Sequence, residues 1–304
     1  MLNKIDGQYC LLCSCESPCN IVAECSDFKV VKCLKCELIY QILSSFNPDQ
    51  IYQIYNNIYN NICQNSPASI KSTPHLNNVA KDIQKYHKTP GSILDIGCGF
   101  GIYVKYYSDN GWDATGIDIS KSAVNYARSK GLNCHIATVE EYLTDKKFDV
   151  ILMNHVLEHF ENPLLILNKT KDWLNNDGFI YIRVLNVNSK AIRFIKANLI
   201  GHLKPFEHLY YFSPKTIESL LKKAGLKASL HLDSGLFISD IINYWIRSKI
   251  TTKSSWINVN YKTAPSRKKT YLFFRDFYEK AVSALEYLNV GPKDREIVAI
   301  ATKE

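Results

Sequence analysis

The distribution of apolar and polar residues predicts alternating strands and helices from residue 92 onwards. Short runs rich in isoleucine, valine and leucine are typical of buried strands, and the segments between them carry apolar residues at helical spacing. This alternation predicts an α/β fold. The predicted strands cover residues 92–96, 112–117, a segment ending near 137, 148–154, a segment entered through a turn at 175–178, and 295–301. The predicted helices begin near residues 102, 120 and 215.

The turn after the first predicted strand contains three alternating glycines, at positions 97, 99 and 101. Glycine lets the backbone come close to a ligand, and the first N–H groups of the following helix are free to bind it. A dinucleotide fingerprint would need glycine at position 102, which is isoleucine, and no Gly-Lys-Ser/Thr sequence follows as in a P-loop. The pattern therefore predicts a nucleotide-like ligand of another kind.

Asp118 ends the second predicted strand of this region. A carboxylate at that position can accept hydrogen bonds from two ribose hydroxyls, so the turn and the acid together indicate an adenosine moiety. A second interpretation stays open at this point, in which Asp118 belongs to the N-terminal cap of the helix that begins near Ser120.

Seven of the ten cysteines lie within the first 36 residues. Cys10 and Cys13 form one C-x2-C pair, and Cys33 and Cys36 form a second pair after a spacer of nineteen residues. Two such pairs predict a structural zinc site with four thiolate ligands. The cysteines at 15, 19 and 25 could compete as ligands, but we interpret them as small apolar core residues.

Residues 46–74 are predicted to be a helical and linker segment that follows a zinc-binding module at 1–45. Tyr52, Tyr55 and Tyr59 recur at helical spacing. Packing against the next domain explains them most simply. In the alternative interpretation, one tyrosine reaches over the substrate pocket.

These motifs together resemble class I S-adenosylmethionine-dependent methyltransferases. The acid and glycines at 95–101 match the first motif of that family, and residues 148–163 match its fourth strand and the loop over the methionine part of the cofactor. The resemblance covers residues 75–304 and implies a Rossmann-like methyltransferase fold: a doubly wound, mostly parallel seven-stranded sheet, here preceded by a small zinc-ribbon module. The cofactor-binding residues that it implies are Asp95, Gly97, Gly99, Gly101, Asp118, Ile119, Glu140, Asn154 and His159.

The segment EHLYYFS at 207–213 is similar to a segment of zinc-containing sugar C-methyltransferases, which also begin with paired C-x2-C knuckles. That resemblance implies that His208 is the general base for the acceptor, with Glu207 and Tyr211 beside it. The chain departs from those enzymes because they are longer, whereas here the predicted strand at 295–301 lies close to the last residue. Methylation of oxygen or nitrogen is therefore favoured over methylation of carbon.

The sequence His155-Val-Leu-Glu158-His159 also matches the H-x-x-E-H motif of inverted zinc peptidases. That motif lies within a helix, but here it follows a buried strand and precedes Asn162-Pro163, which predicts a loop and a short turn. We therefore interpret the two histidines as residues that line the pocket or cap a turn.

Charge and length limit the remaining possibilities. The 304 residues carry a net charge of +8, with −1 over residues 1–74 and +6 over 241–304. No signal peptide or membrane span is evident, which predicts a cytoplasmic protein. A basic, aromatic helical insert at 236–290 could be a substrate lid, a dimer surface or a membrane-edge patch, with core packing of its aromatic residues as the default interpretation.

The favoured function is methyl transfer from S-adenosylmethionine to a sugar-type acceptor, either a nucleotide sugar or a precursor of a surface glycan. The main alternative is a ribosomal RNA methyltransferase with a zinc ribbon. The negative charge of the cysteine module argues against nucleic acid as a partner, and the basic insert argues for it. A catalytically inactive scaffold that binds the cofactor is the third possibility.

Overall fold

The computed structural model describes residues 9–15, 19–24, 28–43, 76–189, 207–233 and 294–304, together with 53, 56–57 and 59–60. Its strands are β1 (Cys19–Glu24), β2 (Phe28–Cys33), β3 (Ile39–Leu43), β4 (Ser92–Ile96), β5 (Asp113–Asp118), β6 (Cys134–Ile136), β7 (Phe148–Asn154), β8 (Leu174–Leu185), β9 (Tyr210–Tyr211), β10 (Leu226–Asp233) and β11 (Glu296–Lys303). Its helices are α1 (Leu76–Tyr86), α2 (Ile102–Asp109), α3 (Lys121–Ser129), α4 (Pro163–Asp172) and α5 (Pro214–Lys223), with a short 3₁₀ helix at Leu157–His159.

Seven strands form one sheet in the order β10-β11-β8-β7-β4-β5-β6. The pairs β4/β5, β5/β6, β4/β7 and β7/β8 are parallel. The chain proceeds from β4 outwards to β6 and then returns to place β7 on the other side of β4. Ligands of open α/β sheets bind at such a reversal, beyond the carboxyl ends of the strands. The predicted Rossmann-like methyltransferase fold is confirmed.

Alternation of apolar side chains along the strands gives the sheet two buried faces. On β4, Ile93 belongs to one hydrophobic cluster, and Leu94 and Ile96 belong to the other. Residues of α1, α2 and α3 contribute to the first cluster, and residues of α4 and α5 contribute to the second. This two-sided burial explains why β4 and β7 appear in the sequence as short, continuous apolar runs.

The turn predicted at 175–178 does not precede a separate strand but lies inside β8. Phe148 of β7 pairs with Leu174, and Val150 pairs with Phe179, so β8 advances five residues while β7 advances two. The polar sequence Asn-Asn-Asp-Gly is therefore an irregularity in the strand. Helix α5 begins as predicted, because the Ser213 hydroxyl accepts a hydrogen bond from Thr216 N and Pro214 occupies the first turn.

The cysteine-rich N-terminal segment forms a second, antiparallel sheet in the order β1-β2-β3-β9. Its fourth strand comes from the segment that we predicted to carry the acceptor base, because Ile39 pairs with Tyr211 and Tyr40 pairs with Tyr210. The main chain of Gln41 also donates to the carbonyl oxygen of Leu209 at 2.8 Å. The cysteine module thus holds the segment around residue 208 by its backbone.

The chain divides into two compact units. The first comprises residues 1–187, 203–231 and 297–304, and it contains both the cysteine module and most of the seven-stranded sheet. The second comprises 188–202 and 232–296, and the predicted insert at 236–290 lies outside the described residues. The domain boundaries predicted at 45 and 74 also fall in undescribed stretches. Among the described helices, none has the length and apolar composition to cross a membrane.

Candidate active site

The loop between β4 and α2 depends on its glycines. The φ angles of Gly97, Gly99 and Gly101 are 73°, 50° and 74°, which lie in the left-handed region that other residues rarely adopt. A Cβ atom on Gly97 would lie 2.5 Å from the side chain of Val156. The loop therefore needs glycine both for its backbone angles and for its contact with the segment that follows β7.

Asp118 joins this loop to the end of β5. One carboxylate oxygen accepts a hydrogen bond from Gly99 N at 2.8 Å, and the other accepts one from Ser120 N at 2.7 Å. Burial raises the pKa of Asp118, and these two hydrogen bonds act in the opposite direction. The cap of α3 is Ser120 itself, whose hydroxyl accepts from Ala123 N at 3.3 Å. Asp118 is therefore not the capping residue of the helix, and it lies where a ribose-binding acid is expected.

Two further buried acceptors lie at the ends of neighbouring strands. Within the part of the chain that the structure describes, Asp95 Oδ2 and Asn154 Oδ1 are buried without a hydrogen-bond partner. Burial, followed by the nearby Cys134 and Asp118, raises the pKa of Asp95 well above its usual value. Acceptors of this kind fit the methionine ammonium group of S-adenosylmethionine, which carries donors and a positive charge. The chemistry of this edge of the sheet thus fits the predicted cofactor.

The tyrosine-rich segment contributes one side chain to the same place. Tyr59 OH lies 3.1 Å from the position of a Cβ on Gly99, and its ring makes an edge contact with Phe100 at 5.0 Å between centroids. In addition, the Ser120 hydroxyl donates to Asn56 Oδ1 at 3.1 Å. Both residues are helical, as the spacing predicts, and Tyr59 lies over the glycine loop. Tyr52 and Tyr55 lie outside the described residues.

The predicted adenine contact, Glu140, is exposed, and its backbone oxygen accepts a hydrogen bond from Lys169 at 2.5 Å. Ile119 is half-buried directly after β5. A turn rather than a helix follows Thr138, whose hydroxyl accepts from Glu141 N at 3.1 Å. The binding roles of Glu140 and Ile119 stay predictions.

A cluster of three histidines and one acid occupies the segment after β7 and the segment before β9. The rings of His159 and His208 lie 4.8 Å apart between centroids. His155 Nδ1 lies 3.5 Å from Glu158 Oε1, and His155 adopts a left-handed φ of 54°. Burial acts to raise the pKa of Glu158, but the nearby His155, His159 and His208 lower it to about 2. We call these four residues the histidine cluster.

The histidine cluster lies directly beside the glycine loop, because Val156 is the side chain that touches Gly97. Backbone hydrogen bonds fix its parts: His155 N donates to Arg183 O at 2.8 Å, and Leu209 N donates to Glu158 O at 2.9 Å. His159, which we predicted at the cofactor, thus lies next to His208, which we predicted at the acceptor. The H-x-x-E-H segment begins directly after β7 and forms a loop at residues 155–156 and a 3₁₀ turn at Leu157–His159, as predicted.

The acid next to these histidines was missed as a site residue. The influence of Glu207 on His208 stays a prediction, and the backbone oxygen of Glu207 accepts a hydrogen bond from His159 Nδ1 at 2.5 Å. The buried carboxylate of the cluster belongs to Glu158. The spacing of the H-x-x-E-H sequence was the signal that could have identified it. Tyr211 is buried with its ring 6.3 Å from that of His208, and burial raises its pKa.

The two cysteine pairs form matching turns. Ser14 N donates to Cys10 O at 2.8 Å and Glu37 N donates to Cys33 O at 2.9 Å, and both donor residues have left-handed φ angles, of 53° and 66°. In each turn the first cysteine N–H also donates to a carbonyl five residues later, in Cys15 and Leu38 respectively. Cys15 therefore occupies the position that Leu38 has in the second turn, but its sulfur also lies 3.8 Å from Cys33 Sγ, so its interpretation as a core residue stays a prediction.

The four predicted sulfur ligands converge, and all lie within 4.8 Å of one another. The pair Cys10 and Cys36 is 3.4 Å apart and the pair Cys13 and Cys33 is 3.6 Å apart. A tetrahedral zinc with bonds of about 2.3 Å needs sulfur atoms about 3.8 Å apart. The two described cysteines that could compete as ligands have other short contacts: Cys15 Sγ lies 2.9 Å from Cys13 Sγ, and Cys19 Sγ lies 3.2 Å from Tyr40 OH. The donor set and its spacing fit Zn²⁺.

The strand order, the glycine loop after β4 and the acid at the end of β5 together define a protein of the Rossmann-like methyltransferase class. A profile described as a methyltransferase domain matches residues 75–230. The chain belongs to this family and is an S-adenosylmethionine-dependent methyltransferase.

Curated relatives include two proteins named as ubiquinone biosynthesis O-methyltransferases. The protein from Glaesserella parasuis is 32% identical over 181 residues, which is 55% of this chain and 72% of the relative. The protein from Bordetella avium is 28% identical over 152 residues, which is 45% of this chain. The aligned region spans 62% of that relative, less than two thirds of its length. Neither name mentions a sugar.

Solved structures agree with the fold. Phosphoethanolamine N-methyltransferase 2 of Haemonchus contortus, in complex with S-adenosylmethionine, gives a TM-score of 0.51 at 16% identity and covers 75% of this chain and 53% of that chain. A methyltransferase from Thermotoga maritima gives a TM-score of 0.50 at 17% identity and covers 84% and 99%. At these identities the similarity concerns the fold alone.

Proposed function

We propose that the protein transfers a methyl group from S-adenosylmethionine to a hydroxyl oxygen of a small acceptor, with a sugar or nucleotide sugar as our candidate. The observation that carries the proposal is the histidine cluster beside the glycine loop, in which Glu158 and His208 are buried and which can receive a proton from an acceptor. The similarity of residues 207–213 to sugar methyltransferases favours the sugar. The O-methyltransferase names of the relatives favour oxygen as the methylated atom.

The cofactor supplies an electrophilic methyl carbon on a sulfonium sulfur. Asp118 would bind its ribose hydroxyls, and Asp95 and Asn154, whose buried oxygens lack partners among the described residues, would accept from its ammonium group. Gly97, Gly99 and Gly101 let the loop backbone approach it closely. Glu140 stays our proposal for the adenine contact.

The acceptor's oxygen forms a bond to the methyl carbon, the carbon–sulfur bond breaks, and its electron pair stays on sulfur. The hydroxyl proton must leave, and we assign its removal to the histidine cluster, with His208 as the residue nearest to this step. Tyr211 is buried with its ring 6.3 Å from that of His208, and we assign it to the acceptor side of the site. Glu207 contributes its backbone oxygen, which orients His159.

We also propose that Cys10, Cys13, Cys33 and Cys36 bind one structural zinc ion. All four ligands are cysteines, which leaves no coordination position for substrate. The ion would link the turn at residues 10–15 to the turn at residues 33–38, which joins β2 to β3. Because β3 pairs with β9, the zinc site supports the segment that carries His208.

The experiment is a methylation assay with labelled S-adenosylmethionine against a panel of sugars, nucleotide sugars, phenols and RNA. We expect product with a hydroxylated small molecule, and His208→Ala should lower turnover by roughly 10²- to 10⁴-fold. Affinity for the cofactor should stay unchanged in that variant. His87→Ala is the matched control, because His87 follows α1 near the amino end of the sheet and contacts Thr89 O. Methylation of RNA alone would contradict the proposal.

A further inference from the structure

Three side chains of the histidine cluster converge on one point, and two of them, Glu158 and His208, are buried. One oxygen of Glu158 and one ring nitrogen each of His159 and His208 lie within 4.8 Å of one another. A carboxylate and two imidazoles form a suitable donor set for a divalent transition metal ion. We propose that these three residues bind such an ion and that the ion receives the acceptor's hydroxyl group. The second half of this proposal rests on the proposed function, and the first half does not.

The hydrogen bonding of His159 suits a metal ligand. His159 Nδ1 lies 2.5 Å from the backbone oxygen of Glu207, so this nitrogen carries the proton and donates it. The other nitrogen, Nε2, then keeps its lone pair. Histidines that bind metals donate their second ring N–H to a carbonyl or carboxylate in this way, which fixes the tautomer and the ring orientation.

The position of Glu158 is explained by a cation. The side chain is 2% exposed, and within the described residues neither of its oxygens accepts a hydrogen bond of ordinary geometry. His155 Nδ1 lies 3.5 Å from Glu158 Oε1. A buried carboxylate needs positive charge close to it, and a bound cation would supply that charge in place of protonated histidines. The competing explanation is an ion pair with protonated His155, which needs no metal.

A metal in this position has a chemical role. Val156, between His155 and Glu158, touches Gly97, so the proposed ion lies beside the loop that binds the cofactor. A divalent cation lowers the pKa of a hydroxyl group bound to it, so that the oxygen would release its proton to solvent water before it attacks the methyl carbon. His208 would then act as a ligand, and the cation would perform the activation that we assigned to the histidine cluster as a whole.

The test is titration of the purified full-length protein with Mn²⁺, followed by electron paramagnetic resonance. Mn²⁺ is chosen because thiolates are poor ligands for it, so the cysteine site does not interfere. We expect one saturable site per chain. Glu158→Gln keeps the side-chain volume and should weaken Mn²⁺ binding by at least about 100-fold. Glu161→Gln is the matched control in the same loop and should bind Mn²⁺ as the wild type does.

Cofactor affinity, measured by calorimetry, shows whether each variant is folded. If Glu158→Gln loses cofactor binding, His208→Asn decides the question instead. Absence of a saturable Mn²⁺ site in the wild type, with or without the cofactor, would overturn the proposal. Unchanged binding in a folded Glu158→Gln or His208→Asn variant would do the same. Inactivity towards every sugar would contradict the proposed acceptor, but it would leave the Mn²⁺ result intact.

Discussion

Replacement of Asp118 by alanine tests the placement of the cofactor site most directly. The carboxylate accepts hydrogen bonds from Gly99 N and Ser120 N at 2.8 and 2.7 Å, and it lies where two ribose hydroxyls would bind. Hydrogen bonds to a charged group contribute about 1.5 to 3 kcal/mol. Loss of the ribose contact should therefore weaken binding of S-adenosylmethionine by roughly 10- to 150-fold.

The same substitution also affects stability, because it leaves two buried N–H groups without acceptors, each at a cost of about 1 to 3 kcal/mol. Asp149→Ala separates the two effects. Asp149 accepts from Ser92 N, Ser92 Oγ and Asn175 Nδ2 at 2.7, 2.9 and 2.7 Å, at the opposite end of the sheet. It should lower the unfolding temperature while cofactor affinity stays at the wild-type value.

Isothermal titration calorimetry measures the affinities, and thermal unfolding measures the stabilities. Asp118→Asn keeps one side-chain oxygen and should give an affinity between those of the wild type and Asp118→Ala. If Asp118→Ala is folded and binds S-adenosylmethionine as tightly as the wild type, then the ribose lies elsewhere and our placement of the pocket is wrong.

Three further changes test other parts of the structure. Cys33→Ala should release zinc from the purified protein, because it removes one of the four ligands. Cys15→Ala, at the position equivalent to Leu38, should retain the zinc. If metal analysis finds equal zinc in the two variants, the ligand set is wrong. Tyr59→Ala should weaken cofactor binding by roughly 2- to 12-fold, because the ring contact with the glycine loop is lost. If calorimetry gives the same affinity for this variant and the wild type, Tyr59 has no role in binding. Burial acts to raise the pKa of Asp149, but the hydrogen bonds from Ser92 and Asn175 outweigh burial, and the pKa is lowered. The ionised carboxylate therefore stabilises the fold fully above about pH 4, and this stabilisation is lost as the pH falls further. Acid unfolding should therefore show the advantage of the wild type over Asp149→Asn shrinking below that pH, and a constant difference would contradict the assignment.

The sequence is informative where a signal is local. Residues 92–96 and 148–154 form the strands that their apolar runs predict, and Ser213 with Pro214 begins α5 as the capping pattern predicts. The glycine loop follows from three residues whose backbone angles other residues rarely adopt. Each of these features depends on neighbours within a few positions along the chain.

Two features that depend on distant contacts were not predicted. Strand β9 has only two residues, and it exists because Tyr210 and Tyr211 pair with β3, about 170 positions earlier in the chain. Glu158 looks like part of a local motif, but its importance comes from His208, which reaches it from another segment. Pairing over such distances leaves no periodic trace in the sequence.

The shared sheet β1-β2-β3-β9 has a consequence for where this protein can be cut. The matched family profile begins at residue 75, so a fragment chosen from it would leave out β1, β2 and β3. Strand β9 would then lose its only hydrogen-bonded neighbour strand in the described sheet, and the backbone groups of Tyr210 and Tyr211 would be left to water or to another chain. Such a fragment would keep the glycine loop but lose the pairing of β3 with the segment that carries His208, on which our proposed acceptor site depends.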